Sequence, residues 1–215
     1  MPDNTLATRF AAANSTLPLV AILRGITPPE AESIGWVLYE AGFRLIEVPL
    51  NSPNAFDSIA IMRHSLPGDA IVGAGTVLRI DQVRSLKASG GELAVMPHSD
   101  VAIIQAAKEV GLICAPGTAT PTEAFSALSA GADALKIFPA ELVTPVILKA
   151  IRAVLPKGTL MLPVGGITPD NMKPYIDGGA TGFGLGSALY KPGITAKDVA
   201  TSATRFVKGW QQVRA

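Results

Sequence analysis

The stretch Ala132-Asp133-Ala134-Leu135-Lys136-Ile137-Phe138-Pro139 places a lysine inside a mainly apolar run that ends at a proline. Such a run is typical of a strand buried on both faces of a parallel sheet. Removing an ammonium group from water is costly, and burial favours the neutral amine, which is a nucleophile toward a carbonyl carbon. The stretch therefore predicts either Schiff-base chemistry at Lys136 or a lysine that reaches a polar pocket or the surface.

Similar apolar runs recur along the whole chain, and amphipathic helical patterns separate them. The predicted strands are 17–23, 44–48, 70–74, 92–96, 112–115, 132–138, 160–164 and 181–185. The predicted helices are 28–41, 53–65, 80–88, 100–110, 121–129, 145–155, 169–177 and 196–213, with a short helix before the first strand. This alternation predicts an α/β fold, a (β/α)8 TIM barrel that residues 1–215 form as a single domain. An open doubly wound sheet is the alternative, although it usually has fewer strands.

Composition limits the classes of function. The 215 residues carry a net charge of +1 without a basic block or a basic amphipathic helix, so we expect neither nucleic acid nor a membrane as a partner. The single cysteine, Cys114, excludes an intramolecular disulfide and is predicted to be a small core residue. The N-terminus lacks a signal-peptide pattern, and a cytoplasmic location is expected. With only two histidines, His64 and His98, a zinc site is not expected.

Unusual residues stand at the carboxyl ends of the predicted strands, where barrel enzymes place their active sites. Because these ends meet on one rim, we expect a single site there. The residues are Arg24 after the first strand, Glu47 in the second, Thr76 after the third, Pro97 and His98 after the fourth, Lys136 and Phe138 in the sixth, Val164, Gly165 and Gly166 at the seventh, and Gly186 and Ser187 after the eighth.

Glu47 lies in an apolar strand, as Lys136 does. A buried carboxyl group with a raised pKa can donate and accept protons near neutral pH. The two residues are therefore candidates for a proton shuttle and a nucleophile. A buried structural ion pair is the alternative.

The glycine-rich ends of the last two strands favour an anion site. Backbone N–H groups of the loops after strands seven and eight often bind phosphate in barrels, and Gly165-Gly166 and Gly186-Ser187 occupy these two loops. Arg24 can bind a carboxylate or a phosphate through two hydrogen bonds. Ordinary turn glycines and a salt bridge of Arg24 at the rim are the alternatives.

Five segments, taken in order, resemble the 2-keto-3-deoxy-6-phosphogluconate aldolase family, and the resemblance extends from about Leu17 to Tyr190. They are 21–26 (AILRGI), 46–53 (IEVPLNSP), 72–78 (VGAGTVL), 116–124 (PGTATPTEA) and 135–139 (LKIFP). Within the family the chain is most similar to the 2-dehydro-3-deoxy-6-phosphogalactonate aldolases. At the positions of Asn51 and Val164 the gluconate branch of the family has Arg and Thr. The resemblance implies that the difference between Val and Thr tunes which face of the aldehyde is attacked. Met96-Pro97-His98 departs from the galactonate pattern, which is closer to Thr-Pro-Asn.

The resemblance implies a class I aldolase of galactonate catabolism that cleaves 2-dehydro-3-deoxy-6-phospho-D-galactonate to pyruvate and D-glyceraldehyde 3-phosphate. It implies that Lys136 forms the Schiff base and that Glu47 moves protons, through a water molecule. It also implies a homotrimer and no metal or organic cofactor. The substrate-binding residues expected on this basis are Arg24 and Thr76 for the pyruvyl end, Gly165, Gly166, Gly186 and Ser187 for the phosphate, and Pro97, Phe138 and Val164 for the wall of the pocket. The alternatives are a gluconate-type or dual-specificity aldolase, a sugar-phosphate isomerase, and a non-catalytic binding barrel.

Overall fold

A parallel sheet curled into a barrel forms the centre of the molecule in a computed structural model, which describes residues 5–214. The six-stranded part has the order β5-β4-β3-β2-β1-β9, and the other part has the order β6-β7-β8. The strands are β1 (Leu19–Ile22), β2 (Leu45–Pro49), β3 (Ile71–Gly75), β4 (Leu93–Val95), β5 (Ile113–Ala115), β6 (Gly117–Thr118), β7 (Leu135–Ile137), β8 (Met161–Pro163) and β9 (Phe183–Leu185).

The barrel closes at two places. The first strand pairs with both β2 and β9, and a parallel bridge between Val164 and Gly184 joins β8 to β9. On the other side the chain runs from β5 into β6 through Pro116, whose missing N–H interrupts the ladder. The Pro116 carbonyl still accepts a hydrogen bond of 2.9 Å from the Lys136 amide. The predicted barrel is confirmed, and the fifth predicted strand is extended by a short second piece.

Helices surround the barrel in the predicted alternating order. They are α1 (Leu6–Thr16), α2 (Pro28–Glu40), α3 (Ala55–Ser65), α4 (Ile80–Ala88), α5 (Val101–Glu109), α6 (Pro121–Ser129), α7 (Pro145–Val154), α8 (Met172–Asp177) and α9 (Ala196–Arg214). Local sequence fixes several starts: at α6, for example, Thr120 and Glu123 form a capping box. Within residues 5–214, no helix has both the length and the apolar character needed to cross a bilayer.

Three helices begin later than predicted, and in α5 the difference is one residue, because Asp100 is the N-cap. Asn54 adopts a left-handed conformation with φ of 46°, so α3 starts at Ala55 instead of residue 53. The predicted helix 169–177 begins as a 3-10 turn, Pro169–Asn171, and becomes α-helical at Met172. This start leaves Pro174 in the first α-helical turn, where its missing N–H removes no bond.

The N-terminal helix α1 covers the amino-terminal end of the barrel. Phe10 and Ala13 belong to the same buried cluster as the inward-facing strand residues. Arg9 donates a hydrogen bond of 2.8 Å to the Gly68 carbonyl and forms an ion pair with Glu92. Because Gly68 precedes β3 and Glu92 precedes β4, these contacts of Arg9 fix α1 at the amino-terminal end of the barrel. The inward-facing cluster contains Val20, Leu45, Ile71, Leu93, Val95, Ile113, Ala115, Ala134 and Leu162.

Candidate active site

Lys136 and Glu47 both face the interior of the barrel. Successive side chains of a strand point to opposite faces. The neighbours of Lys136, Leu135 and Ile137, pack in the outer core between barrel and helices, and this leaves Lys136 facing inward. The same alternation turns Glu47 inward. The exposed fractions are 5% for Lys136 and 1% for Glu47, and both residues line one mainly apolar chamber above Phe10.

Burial shifts both groups toward their neutral forms. The pKa of Glu47 is raised because burial penalises the carboxylate, although the positive charges of Lys136 and Arg24 act in the opposite direction. The pKa of Lys136 is lowered because burial penalises the ammonium, and although Glu47 opposes this shift, Arg24 adds to it. Among the described residues, Oε2 of Glu47 has no hydrogen-bond partner. The arrangement therefore combines an amine whose neutral form is favoured by burial with a carboxyl group that is free to exchange a proton.

A cleft of about 410 Å³ opens above this chamber at the carboxyl ends of the strands. Ile22, Lys136 and Val164 line both cavities, so the two adjoin at the predicted nucleophile. The amine of Lys136 lies 5.0 Å from the centroid of the Phe138 ring. The structure thus brings most of the predicted site residues together. Those that line the cleft are Arg24, Lys136, Phe138, Val164, Gly165, Gly166, Gly186 and Ser187.

The glycine loops lie on one wall of the cleft. Gly165 and Gly166 have φ values of 117° and 60°, in the left-handed region that side chains disfavour. A β-carbon on Gly165 would lie 2.2 Å from Oε2 of Glu141, so this carboxylate occupies the space beside the loop. No heavy atom outside the local chain lies within 4 Å of a β-carbon built on Gly186, so this backbone is open to a ligand.

Arg24 is held at the rim by the loop that follows β2. Its Nη1 donates a hydrogen bond of 2.7 Å to Oδ1 of Asn51. The amide of the next residue, Gly25, donates one of 2.8 Å to Oγ of Ser52. Sequence reasoning placed Asn51 after the second predicted strand and used it as a marker of the family branch, but gave it no role in the site. Its position directly after a predicted strand end was the available signal for a role in the site.

Two predicted site residues are not among those that line the two cavities. Of the residues that the structure describes, Thr76 and Pro97 line neither the chamber nor the cleft. Thr76 has a φ of 55°, unusual for a β-branched residue, and His98 is exposed. Cys114 is buried, and burial raises the pKa of its thiol to about 12, as suits the predicted core residue. Sequence reasoning missed cleft-lining residues that follow strand ends: Glu141, Thr168, Tyr190, Lys191 and Pro192.

Comparison with known proteins agrees with this geometry. A family model described as "Aldolase: KDPG and KHG aldolase" matches residues 12–204. The 2-dehydro-3-deoxy-6-phosphogalactonate aldolase of Escherichia coli K12 is 45% identical over 91% of this chain and 96% of its own length. The KHG/KDPG aldolase of the same organism is 31% identical over 75% of this chain and 76% of its own length.

The same relationship appears in three dimensions. A solved structure described as native KDPGal superimposes with a TM-score of 0.90 at 45% identity, and the match covers 92% of this chain and 96% of that one. Family, sequence and fold thus point to one group of carbon–carbon lyases, and the chain belongs to the KDPG and KHG aldolase family.

Proposed function

We propose that the protein is a class I aldolase that cleaves 2-dehydro-3-deoxy-6-phospho-D-galactonate to pyruvate and D-glyceraldehyde 3-phosphate. The observation that carries this proposal is the buried amine of Lys136 in one chamber with the carboxyl group of Glu47, below a cleft lined with glycines. The choice of substrate rests on the galactonate relative, which is 45% identical, against 31% for the KHG/KDPG aldolase.

In the proposed reaction the neutral amine of Lys136 adds to the C2 ketone of the substrate. The carbinolamine loses its hydroxyl group as water, with the proton supplied by Glu47 through a water molecule, and an iminium forms. The Glu47 carboxylate then accepts the C4 hydroxyl proton through the water molecule, the C3–C4 bond breaks, and the bond electrons move into the iminium to give an enamine. Glyceraldehyde 3-phosphate leaves as the aldehyde. Glu47 returns this proton to C3, and the addition of water to the resulting iminium releases pyruvate and the free amine.

The walls of the cleft supply the proposed binding groups. Arg24 would bind an anionic group of the substrate, and the open backbone at Gly186 and Ser187, together with Gly165 and Gly166, would bind the phosphate. Phe138 and Val164 would bound the reacting carbons. We retain Thr76 as a candidate for the pyruvyl end and Pro97 as a candidate for the wall of the pocket. The proposed steps use only these side chains and protons, and we propose no metal or organic cofactor.

Two measurements test the proposal. The first is pyruvate release from 2-keto-3-deoxy-6-phosphogalactonate and from the C4 epimer 2-keto-3-deoxy-6-phosphogluconate, assayed side by side. We expect a clear preference for the galactonate. Equal rates or a gluconate preference would keep the aldolase but overturn the branch, and no release from either would overturn the aldolase itself.

The second measurement is borohydride reduction in the presence of pyruvate, followed by peptide mass analysis. A Schiff base at Lys136 predicts that the peptide containing it gains the mass of a reduced pyruvyl group. Lys136→Arg keeps the charge without an accessible neutral amine, and it should neither trap pyruvate nor cleave substrate. An unmodified Lys136 peptide would contradict its role as the nucleophile.

We also propose that residues 1–215 act as one aldolase domain, in the cytoplasm, as a homotrimer. A free, buried thiol at Cys114 suits a reducing compartment. Exposed apolar side chains cluster on α7 and the segment before it, where an oligomer would cover them. They are Leu142, Val146, Ile147 and Val154, of which Val146 is 79% exposed. Light scattering of the purified protein tests the trimer, and a monomer mass would contradict it.

A further inference from the structure

The loops that follow β1 and β2 are joined by two side-chain hydrogen bonds. Asn51 accepts from the Arg24 guanidinium, and Ser52 accepts from the Gly25 amide, at 2.7 and 2.8 Å. Ser52 is 8% exposed, so its bond fixes the two backbones relative to one another. The Ser52 amide itself donates a hydrogen bond of 2.8 Å to the Pro49 carbonyl. This bond holds the turn that contains Asn51 at the end of β2.

The partner that Arg24 has in this loop is uncharged. An arginine at a rim is commonly held by a carboxylate, which orients it but also neutralises it. The Asn51 amide oxygen gives the same geometric constraint and adds no negative charge. A guanidinium has five N–H donors, so a bond from Nη1 leaves further donors available for an anion in the cleft.

We propose that Asn51 is a positioning residue that fixes the Arg24 side chain at the cleft and leaves its positive charge available to an anionic group of the substrate. The inference rests on the proposed function, because it requires an anionic substrate in the cleft. The group in question is a carboxylate or a phosphate, and the experiment below distinguishes them. Asn51 itself acts through Arg24 and needs no contact with the reacting atoms.

Three variants test this role: Asn51→Ala removes the hydrogen bond, Asn51→Asp keeps an acceptor but adds a charge, and Arg24→Ala removes the cation. We expect Asn51→Ala to raise KM about threefold to tenfold and Asn51→Asp to raise it about tenfold, with kcat changed by less than about twofold. In a double-mutant cycle, Asn51→Ala should have little further effect once Arg24 is already alanine.

The charge change has a matched control. Gln105→Glu makes the same amide-to-carboxylate replacement on the exposed side of α5, outside the cleft, and should leave KM unchanged. Thermal unfolding of Asn51→Asp should match the wild type, because both exposed loops keep their hydrogen bonds. A purely structural role for Asn51 predicts a different pattern, in which Asn51→Ala loses stability and Asn51→Asp, which keeps the acceptor, binds substrate normally.

Calorimetry with inorganic phosphate and with pyruvate identifies the anionic group. The ligand whose affinity falls about tenfold in Asn51→Asp is the one that Arg24 binds. Unchanged affinities for both ligands would overturn the inference, as would equal effects of Asn51→Ala in the presence and absence of Arg24. A wild type that binds these anions but releases no pyruvate would overturn the proposed function instead, and the binding data would still decide the role of Asn51.

Discussion

The carboxylate of Glu47 lies directly against the backbone of Gly75. A β-carbon built on Gly75 would lie 1.4 Å from Oε2 of Glu47, so no other residue fits there without moving the carboxylate. Glycine at this position is therefore a condition for the Glu47 side chain to stand in the chamber with Lys136. Its backbone also supports the neighbouring loop, because its carbonyl accepts a hydrogen bond of 2.8 Å from the Leu50 amide.

Gly75→Ala should displace the Glu47 carboxylate and slow cleavage by about a hundredfold or more, the usual contribution of a general acid–base group. Overpacking should also lower the free energy of unfolding by about 1–3 kcal/mol. Steady-state cleavage and urea unfolding measure the two effects. Gly68→Ala is the control, because a β-carbon there meets nothing within 4 Å. A fully active Gly75→Ala variant would contradict the proposed position of the proton shuttle.

Glu47→Gln should reduce cleavage by about 10²- to 10⁴-fold and change how stability depends on pH. Because burial raises the pKa of Glu47 in the folded state, the unfolded chain loses this proton first as the pH rises. Wild-type stability should therefore fall between the ordinary carboxyl pKa and the raised folded pKa, and this contribution is absent from Glu47→Gln. Urea unfolding at several pH values tests this, and parallel stability curves would refute it.

Phe10→Ala should alter the pH dependence of catalysis, although Phe10 lies at the bottom of the chamber, on the side away from the cleft. Phe10 forms part of the chamber that contains Lys136, and its loss should admit water and cost about 3–5 kcal/mol of stability. Better solvation would raise the lowered pKa of Lys136, so the rise of the cleavage rate with pH should shift to higher pH. Phe10→Leu keeps an apolar side chain and should shift little. An unchanged pH profile in Phe10→Ala would show that this floor does not set the Lys136 pKa.

Val164→Thr should weaken the preference between the two C4 epimers. Val164 is 8% exposed and lines both cavities, so a hydroxyl group there can reach the substrate. A new hydrogen bond to one epimer should change the difference between the two activation free energies, obtained from the ratio of the kcat/KM values, by about 1–3 kcal/mol in favour of the gluconate. Val164→Ala removes bulk without adding a hydroxyl group and should affect both epimers alike. An unchanged ratio in Val164→Thr would place the selectivity elsewhere.

The sequence predicts well which side chains of a strand point into the barrel, because the alternation of side chains along a strand is a local property. Leu135 and Ile137 must join the outer core, and Lys136 is thereby turned inward. The glycine loops were equally predictable, since only their place at two strand ends was needed. Together these features account for the barrel and for most of the lining of the cleft.

The remaining features depend on loop geometry and on side-chain contacts that are distant in sequence. Nothing local shows that Glu141 lies beside Gly165, or that Asn51 holds Arg24 across 27 residues. Nor does the sequence show that Thr76 and Pro97 are not among the residues that line the two cavities. Strand ends predict which residues reach the rim, but the fold of each loop decides which of them turn toward the substrate.

The N-terminal helix has a consequence for the order in which products depart. Since α1 and Phe10 cover the amino-terminal end of the barrel, the described residues place the opening of the cleft at the opposite end, beside Arg24. In the proposed reaction the keto end of the substrate enters first to reach Lys136. The part that becomes the aldehyde then lies nearer to the opening of the cleft. In the proposed mechanism glyceraldehyde 3-phosphate therefore leaves before pyruvate, which stays bonded to Lys136 until the enamine is protonated and hydrolysed.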